Sequence, residues 1–334
     1  MKNIFIVAIV LFISQFSKVF AKLPPPGTGT SGIPANILIM LDNSGSMSWD
    51  INGNYISSWR TLINYPNDVA VDTSGNVYAI EGSSRRIRVF DKTGAYVKQI
   101  GGGYGFGCNQ FVYPFQIDID NNNKIYVADA YDGEILKLNT SGGCERQNKP
   151  QGNVYWQMYG VAASNSYVYV AYRNNGQIHT LNKNNLSSIN SYSNYTILWG
   201  TWGLDVNPSG TKLAATNYYR HKINIMNISG TSLGHTSTVG SYGFGNGQFY
   251  YPMDAAYDSS DNLYVVEYNR NRVQKFNSSG TYQAQHGSYR YNLPFRSPSG
   301  IGISSDNRIY IADTYNNRVQ EYNTALTHQG AIGV

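Results

Sequence analysis

The sequence predicts an all-β fold, a six-bladed β-propeller, and three observations carry that prediction. Six ungapped windows of 15 residues share one pattern: VYAIEGSSRRIRVFD from Val77, IYVADAYDGEILKLN from Ile125, VYVAYRNNGQIHTLN from Val168, LAATNYYRHKINIMN from Leu213, LYVVEYNRNRVQKFN from Leu263 and IYIADTYNNRVQEYN from Ile309. Their starts lie 48, 43, 45, 50 and 46 residues apart, a regular period of the kind that radial repeats produce. Each window reads as a β-run, a polar turn and a second alternating β-run, which is a hairpin. The third observation is compositional. Among 334 residues, 34 are Gly and 29 are Tyr, and no long helical blocks alternate with strands, so a doubly wound enzyme fold is disfavoured. With 41% hydrophobic and 13% charged residues the chain can bury a large core, and extended disorder is excluded.

Reading from the N-terminus, Met1 to Ala21 has the form of an export signal. Lys2 precedes the apolar run Ile4 to Ile13, and Val19, Phe20 and Ala21 resemble a small-residue cleavage site. Ser14, Gln15, Ser17 and Lys18 interrupt the apolar stretch well short of the ~20 residues a membrane span requires, so no stable transmembrane segment is expected. Localisation is therefore expected to be exported: periplasmic, cell-surface or secreted. The formal net charge of +5 falls to +3 once Lys2 and Lys18 leave with the signal, too weak a bias to argue for nucleic acid.

Residues 22–51 form a separate N-terminal segment. Five apolar residues, Ile37 to Leu41, read as a buried strand, and Asp42, Ser44 and Ser46 follow it as DxSxS. A carboxylate and two hydroxyls on a tight turn offer oxygen ligands to a hard cation such as Mg²⁺ or Ca²⁺. The plainer reading is an Asp/Ser turn bonded to its own backbone.

The propeller is assigned to residues 52–334. Before most windows stands a short strand introduced by an aromatic residue and proline, as in YPNDVAVDTSGN and YPFQIDIDNNNK, which supplies the innermost strand of each blade. A further alternating run after most windows, such as TGAYVKQI, completes four strands per blade. Two segments compete to close the ring: NGNYISSWRTLI from Asn52, which is the preferred one, and TALTHQGAIGV at the C-terminus. Positions five and ten of the windows should face each other across the hairpin. Glu81 with Arg86, Glu267 with Arg272 and Asp313 with Arg318 then form structural ion pairs without a catalytic role, and Asp129 with Glu134 breaks the rule.

In an oxidising compartment Cys108 and Cys144 are expected to pair; there is no CxxC spacing and no nearby His for a zinc site. Asp118, Asp120 and Asn122 have alternating spacing but lack the Gly and distal Glu of a calcium loop, and read as a turn. The near-duplicates YGFGCNQFVYP and YGFGNGQFYYP have no helix after them and read as inter-blade connections rather than phosphate loops. His179, His221, His235, His286 and His328 fall at different places in their repeats, and no GxSxG elbow is present, so no enzymatic activity is expected. Tyr78, Tyr126, Tyr169, Tyr264 and Tyr310 recur with the blades and read as packing between them. Tyr104, Tyr242, Tyr250, Tyr251, Tyr289 and Tyr291 sit in connections instead, where amphipathic rings are available to a protein or glycan.

The windows, best preserved in YIADTYNNRVQEY, resemble NHL repeats, which build six-bladed propellers that chiefly serve as binding scaffolds. The windows from Val168 and Leu213 depart from the pattern by lacking the acidic residue. LIMLDNSGSM is similar to the start of the von Willebrand factor A domain of type IV pilus tip-associated adhesins. That resemblance implies a metal-ion-dependent adhesion site in which Asp42, Ser44 and Ser46 hold a divalent ion, although the family's remaining Thr and Asp ligands have no counterpart. It also makes pilus components, or the missing half of the A domain, expected partners. Both features together imply an exported adhesin-like binding module recognising protein or glycan through propeller loops. The alternatives are a propeller enzyme of the metal-dependent lyase or lactonase type and a purely structural envelope protein.

Overall fold

A computed structural model describes residues 63–152, 157–288 and 294–333. The proposed signal, Asp42, Ser44 and Ser46, most of the candidate closing segment from Asn52, and Tyr289 and Tyr291 lie outside these residues.

The described chain forms six four-stranded antiparallel sheets, each built from four consecutive strands. Blade 1 contains β1 (Asp68–Val71), β2 (Val77–Glu81), β3 (Arg86–Phe90) and β4 (Tyr96–Gly101). Blade 2 contains β5 (Pro114–Ile119), β6 (Lys124–Asp129), β7 (Glu134–Asn139) and β8 (Cys144–Asn148). Blade 3 contains β9 (Met158–Ala163), β10 (Tyr167–Tyr172), β11 (Gln177–Asn182) and β12 (Ser188–Ser193). A four-residue helix, α1 (Tyr195–Leu198), leads into blade 4, which contains β13 (Thr201–Val206), β14 (Lys212–Asn217), β15 (Lys222–Ser229) and β16 (Ser232–Val239). Blade 5 contains β17 (Pro252–Tyr257), β18 (Leu263–Glu267), β19 (Arg272–Phe276) and β20 (Tyr282–Gly287). Blade 6 contains β21 (Gly300–Ile303), β22 (Ile309–Asp313), β23 (Arg318–Tyr322) and β24 (His328–Ile332).

The six windows are the six central hairpins, and their predicted register holds: Glu81 lies opposite Arg86, Asp129 opposite Glu134, Glu267 opposite Arg272 and Asp313 opposite Arg318. Closure differs from the preferred expectation. β24, from the C-terminal run, pairs with β23 and takes the outer edge of blade 6. That edge is then filled, so the segment from Asn52 is not needed to complete the blade. The seam is fastened from the N-terminal side by side chains and turns: the Ser299 hydroxyl donates to Asn67 O at 2.6 Å, and Tyr65 N donates to Asn317 Oδ1 at 2.9 Å. Ile63 packs beside Tyr310 and Ile332.

Between inner and second strands the sequence writes the same turn repeatedly. Asp72 accepts from Ser74 N and Asn76 N, Asp120 from Asn122 N and Lys124 N, and Asp258 from Ser260 N and Asn262 N. The second oxygen of each takes the hydroxyl of Tyr78, Tyr126 or Tyr264 at 3.0–3.1 Å. The five repeated tyrosines are buried packing elements, three of which, Tyr78, Tyr126 and Tyr264, also anchor a turn, and the spacing around Asp120 is that of an Asx turn.

The inner strands ring a channel whose middle is filled by polar side chains. Asp68 accepts from Ile117 N (3.0 Å), Asp118 from Ala163 N (2.6 Å), Asp205 from Tyr257 N (2.7 Å) and Asp254 from Ile301 N (3.1 Å), each reaching the next blade. Blades 3 and 4 have Gly160 and Gly203 at the place where Asp68 and Asp254 stand, and Gln116 reaches across to both, accepting from Val161 N and Leu204 N and donating to Asp254 Oδ1. A Cβ on Gly203 would land on Asp254 Oδ1, and one on Gly300 on Asp68 Oδ1, so both glycines make room for a neighbour's carboxyl. Burial raises Asp68 to about 7 and Asp254 well above the ordinary carboxylate range. The Asp68 carboxyl adds to the rise at Asp254, because buried like charges held close together do not both ionise.

Candidate functional site

In each antiparallel blade the connections before the inner strand and between the second and third strands emerge at one end of the ring. This end, the loop face, collects the aromatic side chains. Eleven large hydrophobic residues are exposed among the described residues, and eight of them lie here: Tyr65, Tyr104, Phe106, Tyr195, Tyr219, Tyr242, Phe244 and Tyr315. Scattered exposed apolar residues are ordinary; their concentration on one face marks a contact surface.

The near-duplicate connections are two copies of one structure. In each, a buried Phe (Phe111 or Phe249) wedges against a glycine at the preceding strand end (Gly101 or Gly240), where a Cβ would strike the ring. A glutamine closes each loop, Gln110 Oε1 accepting from Gly107 N at 3.3 Å and Gln248 Oε1 from Gly245 N at 3.0 Å. The first tyrosine bridges in parallel to the buried Phe, Tyr104 to Phe111 and Tyr242 to Phe249. Each loop consequently projects a Tyr–Phe pair: Tyr104 and Phe106 with centroids 5.9 Å apart, Tyr242 and Phe244 6.0 Å apart, the two tyrosines being 60% and 59% exposed. The loops precede blades 2 and 5, so they stand on opposite sides of the six-bladed ring. A disulfide between Cys108 and Cys144, with Cα atoms 5.5 Å apart, ties the first loop to β8, as expected; the second has Asn246 at the matching position.

Between these prongs runs a continuous aromatic surface. Phe115, Tyr159 and Trp202 meet one another at the start of the inner strands, with centroids 4.7–5.2 Å apart, and Trp202 stacks on Tyr218 at 4.7 Å. Tyr218 continues to Tyr251, which packs on Tyr250 and His221. Of the six connection tyrosines read from the sequence, Tyr242, Tyr250 and Tyr251 thus share one cluster and Tyr104 sits on the opposite prong. Phe115 of blade 2 belongs to the same surface and escaped the sequence reading although an aromatic-Pro lead-in precedes it; Trp199, Trp202, Tyr218 and Tyr219 escaped because blade 4 lacks that lead-in. Their signal was the unusually dense WGTW and YYR segments.

Guanidinium groups overlie these rings: Arg173 over Tyr159 at 4.5 Å and Trp202 at 5.2 Å, Arg85 over Tyr104, Arg220 over Trp199, Arg270 over Phe244 and Arg296 over Tyr315. The acids at this end are turned inward. Glu81 accepts from Asn64 N, Asp129 from Val112 N and Tyr113 N, Glu267 from Tyr250 N and Asp313 from Arg296 N. Each is buried and fastens the connection that leads into its own blade. Arg86, Arg272 and Arg318 pair with Glu81, Glu267 and Asp313 at 2.6, 2.5 and 2.8 Å, the expected ion pairs.

His179 and His221 take separate structural positions, while His286 and His328 both pack against Tyr322. His179 is held between Ser188 Oγ (2.9 Å) and Gln151 Nε2 (2.8 Å), and His221 Nδ1 accepts from Tyr251 N at 3.1 Å; burial lowers both pKa values. Among the described residues no three His, Cys, Asp or Glu side chains are grouped to hold a metal ion, and no helix is long and apolar enough to cross a membrane. The opposite mouth of the channel is a 320 Å³ cavity lined in part by Asp118 and Asp205, whose buried carboxyls accept backbone N–H groups. Burial raises Asp118 to about 7 and Asp205 well above the ordinary range.

Residues 249–276 and 295–322 match the NHL repeat, and residues 60–198 match a family described as a 6-bladed beta-propeller. The chain is therefore an NHL-repeat-bearing six-bladed propeller. No curated protein matches the sequence. Similar solved structures include a streptogramin B lyase (16% identity, TM-score 0.58, covering 81% of this chain and 84% of that one). An auxiliary nutrient binding protein from Bacteroides thetaiotaomicron is similar at 14% identity, TM-score 0.60, covering 78% and 69%. The Kuenenia stuttgartiensis hydrazine synthase is similar at 12% identity, TM-score 0.57, covering 79% and 97%. At these identities the likeness is one of fold, on which unrelated functions are built.

Proposed function

We propose that this protein is an exported, adhesin-like, non-enzymatic binding module that recognises protein or glycan on a surface through its loop face. The observation that carries the reading is the placement on that one face of eight of the eleven large hydrophobics exposed among the described residues, four of them on two matched, internally braced loops. Rigid aromatic rings contribute contact area at low conformational cost, and a braced loop loses little entropy when it binds. The fold of the nutrient binding protein supports a scaffold role, and the separate structural tasks of His179 and His221 support recognition without turnover. The DxSxS segment, Asp42, Ser44 and Ser46, stands in this reading as an accessory divalent-cation contact with pilus components or other acidic partners. It carries no step of recognition by the loop face.

The test compares the protein with a variant in which Tyr104, Phe106, Tyr242 and Phe244 are all alanine, on a panel of immobilised polysaccharides and extracellular matrix proteins. Selective retention of the parent protein, at least tenfold weaker in the variant at unchanged Tm, is expected. Equal retention of both proteins on every surface would sink the loop-face assignment.

A further inference from the structure

Blade 4 replaces the position-five acid with Asn217, and that exchange has an electrostatic consequence. In blades 1, 5 and 6 the cation opposite that position is consumed by an ion pair. In blade 4 the residue opposite Asn217 is Lys222, which is exposed and has no acid to meet. Asn217 instead donates to Ile197 O and Trp199 O at 2.8 Å, holding α1 beside the β14–β15 turn. Between them lies a 520 Å³ cleft lined by residues that include Tyr219, Arg220, His221, Lys222 and Asn224, none of its lining acidic. From Arg146 to Met253 the chain contains seven lysines and arginines and one acid, Asp205, which faces the channel.

We propose that this cleft is a subsite for the carboxylate groups of an acidic polysaccharide, a deepening that rests on the loop-face reading above. Arg220 and Lys222 form no ion pair among the described residues, so a polymer carboxylate is the charge that completes them. The ring of His221 is neutral at pH 7, since burial lowers its pKa, and Tyr251 N–H occupies Nδ1; its proton therefore lies on Nε2, as a donor. Trp199 is stacked on Tyr219 at 5.2 Å, and the Arg220 guanidinium lies 5.9 Å from its ring centre. Tyr219, exposed at the cleft, offers its hydroxyl to sugar hydroxyls. The cleft has the volume of a small-ligand site and opens beside the Tyr242–Phe244 prong, to which His221 connects through Tyr242 at 5.0 Å.

The experiment measures binding of the full chain to polygalacturonate, to the same polymer fully methyl-esterified, and to a single-stranded oligothymidylate, at low and physiological salt. The parent protein is expected to bind polygalacturonate at least tenfold more tightly than the ester or the oligonucleotide. Arg220→Ala with Lys222→Ala should lose that preference with Tm unchanged, and Arg220→Lys should lose part of it. Equal affinity for acid and ester, preference for the oligonucleotide, no binding to polygalacturonate, or an unaffected double variant would each overturn the proposal. If the four-ring variant loses retention on other surfaces while charge makes no difference, the loop-face reading survives and only the acidic subsite falls.

Discussion

Blades 1, 2, 5 and 6 on one side and blade 4 on the other solve the same local problem with opposite polarity. In the first set a carboxylate at the end of the second strand accepts backbone N–H groups from the segment leading into the blade, and in three of the four an arginine on the third strand neutralises it. In blade 4 an amide at the same position donates to backbone carbonyls, and the segment it holds contains α1 instead of an extended lead-in. In blade 3 the position is Tyr172, buried against His179. In blade 4, replacing the acid therefore changes which backbone groups face inward, rebuilds the loop and leaves Lys222 without an acid opposite. The regular blades use their charges to hold loops in place, whereas blade 4 leaves charge on the surface.

The largest effect that would break this contrast is expected from Glu267→Ala. It strands the buried Arg272 guanidinium and frees Gln274 and Tyr250 N, so a loss of about 3–5 kcal/mol is expected, read as a fall in Tm and denaturant midpoint. A loss under about 1 kcal/mol would show that the acid is not what holds the regular blades. Next comes Asn217→Asp, which restores the repeat pattern yet places a carboxylate against two carbonyl oxygens. Destabilisation of about 1–3 kcal/mol with a change in Trp199 fluorescence is expected. A stabilised variant would mean the loop adapts freely to either polarity.

The channel sharpens the comparison through pH. Asp68 of blade 1 and Asp254 of blade 5 are buried carboxyls at the position where blades 3, 4 and 6 have glycine. A carboxyl whose pKa rises from 3.8 in the unfolded chain to about 7 in the fold binds more protons when folded. Its contribution therefore favours the fold most at pH 4 and below and is lost as pH climbs through 7. Asp68→Asn, able to accept from Ile117 N and donate to Asp254, should flatten the pH 5–8 slope by on the order of 1–2 kcal/mol. An unchanged slope would place the titration elsewhere, with Asp118 the next candidate. The smallest effect belongs to Tyr172→Phe in blade 3, whose buried hydroxyl has no hydrogen-bond partner among the described residues, so a change within about 1 kcal/mol is expected.

The hairpins, their register and the ion pairs were legible because they are local: a period of 46 or so residues, alternation, and partners five positions apart survive in one dimension. The pairing of Cys108 with Cys144 was legible from the expectation of export and the absence of other thiols. The exposure of Tyr104 and Tyr242 could be read from the duplicated loops, but the aromatic surface around Trp202 could not, since its rings come from inner strands of different blades. Closure was misjudged for a related reason. Two segments had the pattern of an outer strand, and only the pairing of β24 with β23 shows which one holds the edge.

By itself, then, the sequence determined the blade count, the strand order within each blade and the anomaly of blades 3 and 4, because these depend on side chains near one another along the chain. Only the tertiary structure decided that Gln116 spans to Val161, Leu204 and Asp254, that one face gathers the rings, and that Lys222 stands in a cleft without an acid. Those are contacts between residues tens to hundreds of positions apart, and they exist only once the blades close into a ring.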